Sequence, residues 1–123
     1  MTPVNADDPA AAHAGPQLII ICGLSFAGKT TLARAICQRF ACSEVDVDLT
    51  KARLHPGAED AGLTRAQWQA LYDEADREIA AHLRRGRRVV DASRNFTRAE
   101  RALAAELAAR CGARMVTIHV DTP

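Results

Sequence analysis

Several features that would assign a chain to a class are missing from these 123 residues, and each absence removes a reading. There is no excess of one charge: 16 Lys and Arg against 15 Asp and Glu leave a formal +1. Bulk attraction to nucleic acid or to a membrane surface is therefore not expected. No C-x-x-C pair occurs among Cys22, Cys37, Cys42 and Cys111, and no histidine accompanies them at zinc-ligand spacing. Cys22 and Cys37 lie inside apolar runs and are expected to be small buried hydrophobes in a reduced, cytoplasmic protein. Residues 1–17 have no charged start and no apolar stretch, so they do not read as a secretory leader. The longest apolar run, Leu18 to Cys22, falls far short of the roughly 20 residues that span a bilayer. No segment repeats.

What is present is the composition of one globular domain, 48% hydrophobic and 25% charged. Residues 1–16 (MTPVNADDPAAAHAGP) are small, polar and proline-bearing, and are expected to form a disordered tail before a domain at 17–123. Leu18 to Cys22 predicts a strand buried on both faces, and Thr30 to Phe40 a helix with Leu32, Ala33, Ile36, Cys37 and Phe40 at helical spacing. Glu44 to Leu49 alternates and predicts a second strand, with a loop through Pro56, Gly57 and Gly62 after it. Thr64 and Gln67 make a capping box, with Leu63 stapled onto Trp68. The apolar stripe of that helix runs through Trp68, Leu71, Tyr72, Ala75, Ile79 and Leu83 toward a glycine cap at Gly86. Arg88 to Ala92 predicts a third strand. Thr97 and Glu100 make a second capping box, opening a helix that ends at Gly112, and Arg114 to Val120 predicts a fourth strand. Strands alternating with helices imply an α/β fold: a mostly parallel sheet of about four strands with helices on both faces.

Between the first strand and the first helix stands GLSFAGKT. Gly23, Gly28, Lys29 and Thr30 satisfy G-x-x-x-x-G-K-[ST], a loop whose glycines let backbone N–H groups close around phosphates at a helix N-terminus. Gly23, Leu24, Ser25, Phe26, Ala27, Gly28, Lys29, Thr30 and Thr31 are the expected nucleotide cradle. Lys29 would reach the β- and γ-phosphates of ATP, and the Thr30 hydroxyl would hold Mg²⁺. Phosphoryl transfer also needs carboxylates at neighbouring strand ends. Asp91, ending Val89-Val90, suits the metal, or else a turn. Asp48, at the end of the second predicted strand, suits proton removal from an attacking hydroxyl, or else a cap. Asp46 lies two residues earlier on the same strand face, so the two aspartates are interchangeable at this stage.

Among the cations Lys51, Arg53, Arg94, Arg98 and Arg101, the best placed is Arg94, immediately beyond the third strand together with Asn95. Arg98 and Arg101 fall either on a solvated helix face or at the crevice. Arg84, Arg85, Arg87 and Arg88 read as a helix end offsetting the helix dipole, with an anion-binding face as the alternative. Trp68 and Tyr72 read as core packing, with ring stacking on a ligand as the alternative.

The stretches ICGLSFAGKTTLARAI, VDVDLTKARL and RRVVDASRNFTRAERALAAELAARCGARMVTIHVDTP together resemble the small P-loop kinases of the AAA-type ATP-binding family. That group is related to polynucleotide 5′-kinases, zeta toxins and chloramphenicol phosphotransferases. The resemblance runs from Leu18 to Pro123. It implies a P-loop NTPase three-layer sandwich and Mg²⁺-dependent transfer of the ATP γ-phosphate to a hydroxyl of a small molecule or a nucleic-acid end. Lys29 and Asp48 are then expected catalytic residues, and Thr30 and Asp91 the metal-binding ones; Arg94, by its position beyond the third strand, is the third expected catalytic residue. Lys51 stands where the family often has arginine, DASRNF is one residue longer than the usual segment, and Phe26 replaces a frequent glycine. Family members continue past H-V-D-x-P into an arginine-bearing lid and a further strand, so a C-terminally truncated domain is expected. The alternative is a catalytically weak nucleotide-binding module used for binding or assembly. No motif specifies the acceptor or an oligomer.

Overall fold

Gln17–Cys22 (β1) is buried at every position, because strands flank it on both sides and helices cover both faces. In the computed structural model, which describes residues 15–23, 28–94 and 96–120, β1 pairs in parallel with Arg88–Asp91 (β3) and Arg114–His119 (β4). Ser43–Val45 (β2) pairs in parallel with β3, giving the order β2-β3-β1-β4. Alternate side chains of β1 enter opposite layers, as the two-residue repeat of a strand requires. Leu18, Ile20 and Cys22 pack with Leu71, Ala75, Ile79 and Leu83 of Arg65–Arg84 and with Ala104, Leu107 and Ala108 of Arg98–Arg110. Ile19 and Ile21 pack with Val90 and with Leu32, Ala33, Ile36 and Cys37 of Lys29–Phe40. Lys29–Phe40 is α1, and it covers its face of the sheet opposite the two longer helices. The three-layer arrangement expected from alternation is the one observed.

The second predicted strand is a correction. Pairing stops at Val45, and Val47–Leu54 (α2) is a helix. The cause is local: the Asp46 carboxylate accepts the N–H of Asp48 at 2.7 Å and of Leu49 at 3.4 Å, capping a helix start. Val45 and Val47 are both buried, so the alternation that suggested a strand is satisfied with a helix beginning between them. Asp48 therefore sits in the first turn of α2, not at a strand end, and it does not share a strand face with Asp46.

A short 3₁₀ turn, Asp60–Gly62, leads into Arg65–Arg84 (α3). Both expected capping boxes are present: Thr64 with Gln67 before α3, and Thr97 with Glu100 before Arg98–Arg110 (α4). The carbonyl of Pro16 accepts the N–H of Arg114 at 3.1 Å, so the sheet network begins inside the stretch expected to be tail. Residues 1–14 of that tail lie outside the described residues. Among the described residues no helix is long and apolar enough to cross a membrane.

Candidate phosphate-binding site

The parallel strands point their carboxyl ends the same way, which brings Gly23, Asp46 and Asp91 to one rim of the sheet. Gly23 (φ 145°) and Gly28 (φ 83°) frame the loop, both in the half of conformational space that side chains disfavour. Leu24, Ser25, Phe26 and Ala27 lie outside the described residues. Gly28 caps α1 without a side-chain hydrogen bond, and the first turn holds no acid. The positive end of that helix dipole is thus not offset by its own sequence.

Lys29 opens α1 and is 6% exposed. Its ammonium donates to the carbonyl oxygen of Arg94 at 3.2 Å, and among the described residues it has no ion-pair partner. A buried cation resting on a neutral carbonyl leaves most of its desolvation cost unanswered. Thr30 and Thr31 follow on the exposed side of the helix.

Asp91 has no exposed surface. Its Oδ1 accepts the backbone N–H of Ser93 at 2.9 Å and the Ser93 hydroxyl at 2.7 Å. Its Oδ2 lies 3.0 Å from Nε of Arg94, a charge contact without hydrogen-bond alignment. Burial pushes the Asp91 carboxyl up, and Arg94 and the two Ser93 contacts pull it partly back. Both oxygens are therefore engaged within the protein. Asp91 was expected to serve the metal directly or through water, and here each of its carboxylate oxygens has a partner inside the protein.

The Arg94 guanidinium turns toward α3. Its Nη2 donates to Asp76 Oδ1 at 2.7 Å, and the guanidinium lies over the rings of Tyr72 (5.2 Å) and Phe96 (5.7 Å). Burial alone would lower its pKa, but Asp91 and Asp76 outweigh it and hold the charge in place. Arg94, Tyr72, Asp76, Asp91 and Phe96 line a cavity of about 280 Å³ between α3, α4 and the sheet. Toward Lys29, Arg94 presents its backbone carbonyl. Asn95 lies outside the described residues. Phe96 takes a left-handed backbone (φ 52°) while nearly fully buried, a strained bend that turns the chain into α4.

Two residues missed from the sequence complete this corner. Ser93 accepts the N–H of Val47 at 3.0 Å while donating to Asp91, so one hydroxyl joins the start of α2 to the end of β3. The D-x-S spacing was the available signal. Asp76 lies at the edge of the inner stripe of α3, half-exposed, and pairs with the mostly buried Arg94.

Asp48 is exposed beside this rim. Partial desolvation pushes its carboxyl up, Asp46 and Asp60 add to the rise, and Lys51 and Lys29 oppose it. Lys51 is spent on Asp60 at 2.6 Å, and Trp68 Nε1 donates to the Asp60 carbonyl at 3.4 Å. Trp68 and Tyr72 pack against the core, their rings 6.1 Å apart. Arg98 is exposed, whereas Arg101 turns inward, donating to the Phe96 carbonyl at 2.8 Å beside the Cys22 thiol. Among the described residues no group of three or more His, Cys, Asp or Glu could hold a metal ion.

The fold is shared with solved kinases. One chain of a Pnkp1/Rnl/Hen1 complex superposes with a TM-score of 0.78 at 18% identity, covering 90% of this chain and 37% of that one. A putative kinase from Chloroflexus aurantiacus J-10-fl gives 0.73 at 21% identity, over 87% of this chain and 60% of its own. The APS kinase CysC of Mycobacterium tuberculosis, solved with AMPPNP and APS, gives 0.68 at 18% identity, over 90% and 65%. The chain thus spans less than two thirds of each of these relatives. No curated protein matches it. Residues 18–123 match the family model described as an AAA domain, and the chain belongs to that family.

Proposed function

We propose that this chain binds Mg²⁺-ATP in the loop between β1 and α1 and transfers the γ-phosphate to a hydroxyl. The observation that carries the reading is Lys29: a buried ammonium at an uncapped helix start, with a carbonyl as its partner among the described residues. A polyphosphate answers both deficits, since its oxygens accept from Lys29 and from the free N–H groups of the first turn. Gly23 and Gly28 give the backbone its approach, and Thr30 and Thr31 present hydroxyls at the helix start. Mg²⁺, held by Thr30 and the phosphates, would neutralise charge on the transferring group.

Asp48 is the acceptor-side base in this reading. The acceptor oxygen forms a bond to the γ-phosphorus as the β–γ bridging bond breaks. The leaving electron pair goes to ADP, and the acceptor proton goes to the Asp48 carboxylate. Its upward-shifted carboxyl suits a group that must take up a proton near neutral pH. Asp91 and Arg94 act as positioning residues, holding the Arg94 carbonyl against Lys29 and, through Ser93, the start of α2.

The commitment of the Arg94 guanidinium to Asp76 and Asp91 favours a second reading, a nucleotide-binding module without transfer. Isothermal titration with Mg²⁺-ATP and assay with radiolabelled γ-phosphate separate the two. Lys29→Ala is expected to abolish binding, and unchanged affinity would remove the phosphate site altogether. Asp48→Asn is expected to keep binding and to stop transfer. Wild-type binding with neither hydrolysis nor transfer to any hydroxyl acceptor would leave the module reading.

A further inference from the structure

Cys37 and Cys42 take no part in the site described above, yet their sulfurs lie in contact. Cys37 lies near the C-terminal end of α1, and Ala41 after the helix adopts a left-handed backbone (φ 52°). That turn folds the chain back on the helix. The Cys42 thiol then donates to the Cys37 sulfur at 3.3 Å. Both are free thiols, half-buried and so reachable by a small molecule. A disulfide bond is about 2.05 Å long, so the two sulfurs need to close by little more than about 1 Å. Among the described residues neither Cys22 nor Cys111 has a thiol neighbour, and Cys22 is buried.

We propose that Cys37 and Cys42 form a reversible thiol–disulfide site, oxidised by exchange with a small-molecule disulfide of the glutathione class. Cys42, which lies beyond the end of the helix, makes the first attack; burial and the neighbouring Cys42 thiol push Cys37 up to about 12, so Cys37 acts second. The Cys42 thiolate bonds to one sulfur of the disulfide RSSR. The second sulfur leaves with the electron pair and takes a proton from water. Cys37 then gives up its proton to solvent as its sulfur displaces the remaining RS⁻, and the Cys37–Cys42 bond closes. The two thiols lose two electrons and two protons, and RSSR becomes two RSH.

The consequence of closure is structural. Cys37 belongs to the helix that opens with Lys29, and Cys42 precedes the strand that leads to Asp46 and α2. The bond would fix one end of the phosphate-binding helix to the segment carrying Asp48.

The test equilibrates the full chain with graded ratios of oxidised to reduced glutathione, quenches in acid, alkylates free thiols and maps the peptides by mass. The expected product is a chain two hydrogens lighter, linked Cys37 to Cys42, reversed by dithiothreitol, with Cys22 and Cys111 still alkylated. In Cys37→Ser the reaction should halt at the glutathione adduct on Cys42, outliving the transient wild-type adduct by about ten-fold or more. Cys37→Ala serves equally should the serine variant not fold. Accumulation of glutathione on wild-type Cys42 without the internal bond overturns the proposal. So does full alkylation of Cys37 and Cys42 at the most oxidising ratio.

Discussion

Asp48 shows how much of the proposed chemistry depends on neighbours a few residues away. Its carboxyl is raised by partial desolvation and by the charges of Asp46 and Asp60, while Lys51 and Lys29 draw it down. Because the base must be ionised to accept a proton, the acid limb of the pH–rate profile is expected above the ordinary aspartate value of 3.8. Asp60→Asn removes one repelling charge and frees Lys51 from its 2.6 Å contact. Both changes favour the ionised carboxylate, so the limb should move to lower pH. An unmoved or upward-shifted limb would take Asp48 out of the rate-limiting proton transfer. Arg94 carries a different kind of dependence. Its loss leaves Asp91 wholly buried with only Ser93 to answer its charge, so Arg94→Met should cost about 3–5 kcal/mol in urea unfolding. Asp76→Asn, at a half-exposed carboxylate, should cost no more than about 1 kcal/mol.

Helix ends govern the next scale. Thr64→Ala and Thr97→Ala each remove one half of a capping box, and each should lower stability by about 1 kcal/mol without changing ATP affinity. Asp46→Ala should cost a similar amount of about 1 kcal/mol and, in addition, slow transfer, because the same carboxylate fixes the turn that carries Asp48. A slow enzyme after Thr64→Ala, or an unaffected one after Asp46→Ala, would contradict this assignment. The two boxes were legible in the sequence because a cap is a contact over three residues, visible in T-x-x-Q and T-x-x-E. β1 was legible because burial on both faces leaves an unbroken apolar run. Lys29 and its glycines were legible because the loop pattern is short and local. The second strand was misread because V-D-V-D satisfies the two-residue period, while the stronger fact, Asp46 bonding to the N–H of Asp48 and Leu49, decides for a helix. Arg94 was placed by proximity to a strand end. Besides Asp91 and Phe96 close by in the chain, it pairs with Asp76, on a helix 18 residues earlier, a contact that no local pattern records.

The proposed phosphate site lies at the rim of a sheet whose inner strands are mostly apolar, with Asp91 buried at the end of β3, and this separates the stability of the fold from the chemistry proposed at the rim. Lys29 is the sharpest instance. In the free protein its ammonium is withdrawn from water and rests on the Arg94 carbonyl, an arrangement that contributes little to folding and carries a desolvation cost. Bound nucleotide would reverse that balance by supplying the missing negative charge. Lys29→Met keeps the aliphatic stem and removes the charge, so the melting temperature of the free protein should stay level or rise. The ligand effect should go the other way. At 100 times the dissociation constant, Mg²⁺-ATP should add about 2.7 kcal/mol to the unaltered protein, several degrees in melting temperature, and nothing to Lys29→Met. Differential scanning calorimetry with and without nucleotide reads both quantities from one pair of samples. A large fall in the melting temperature of free Lys29→Met would mean that the lysine holds the loop together by itself. A preserved nucleotide shift in that variant would mean that the ligand sits elsewhere.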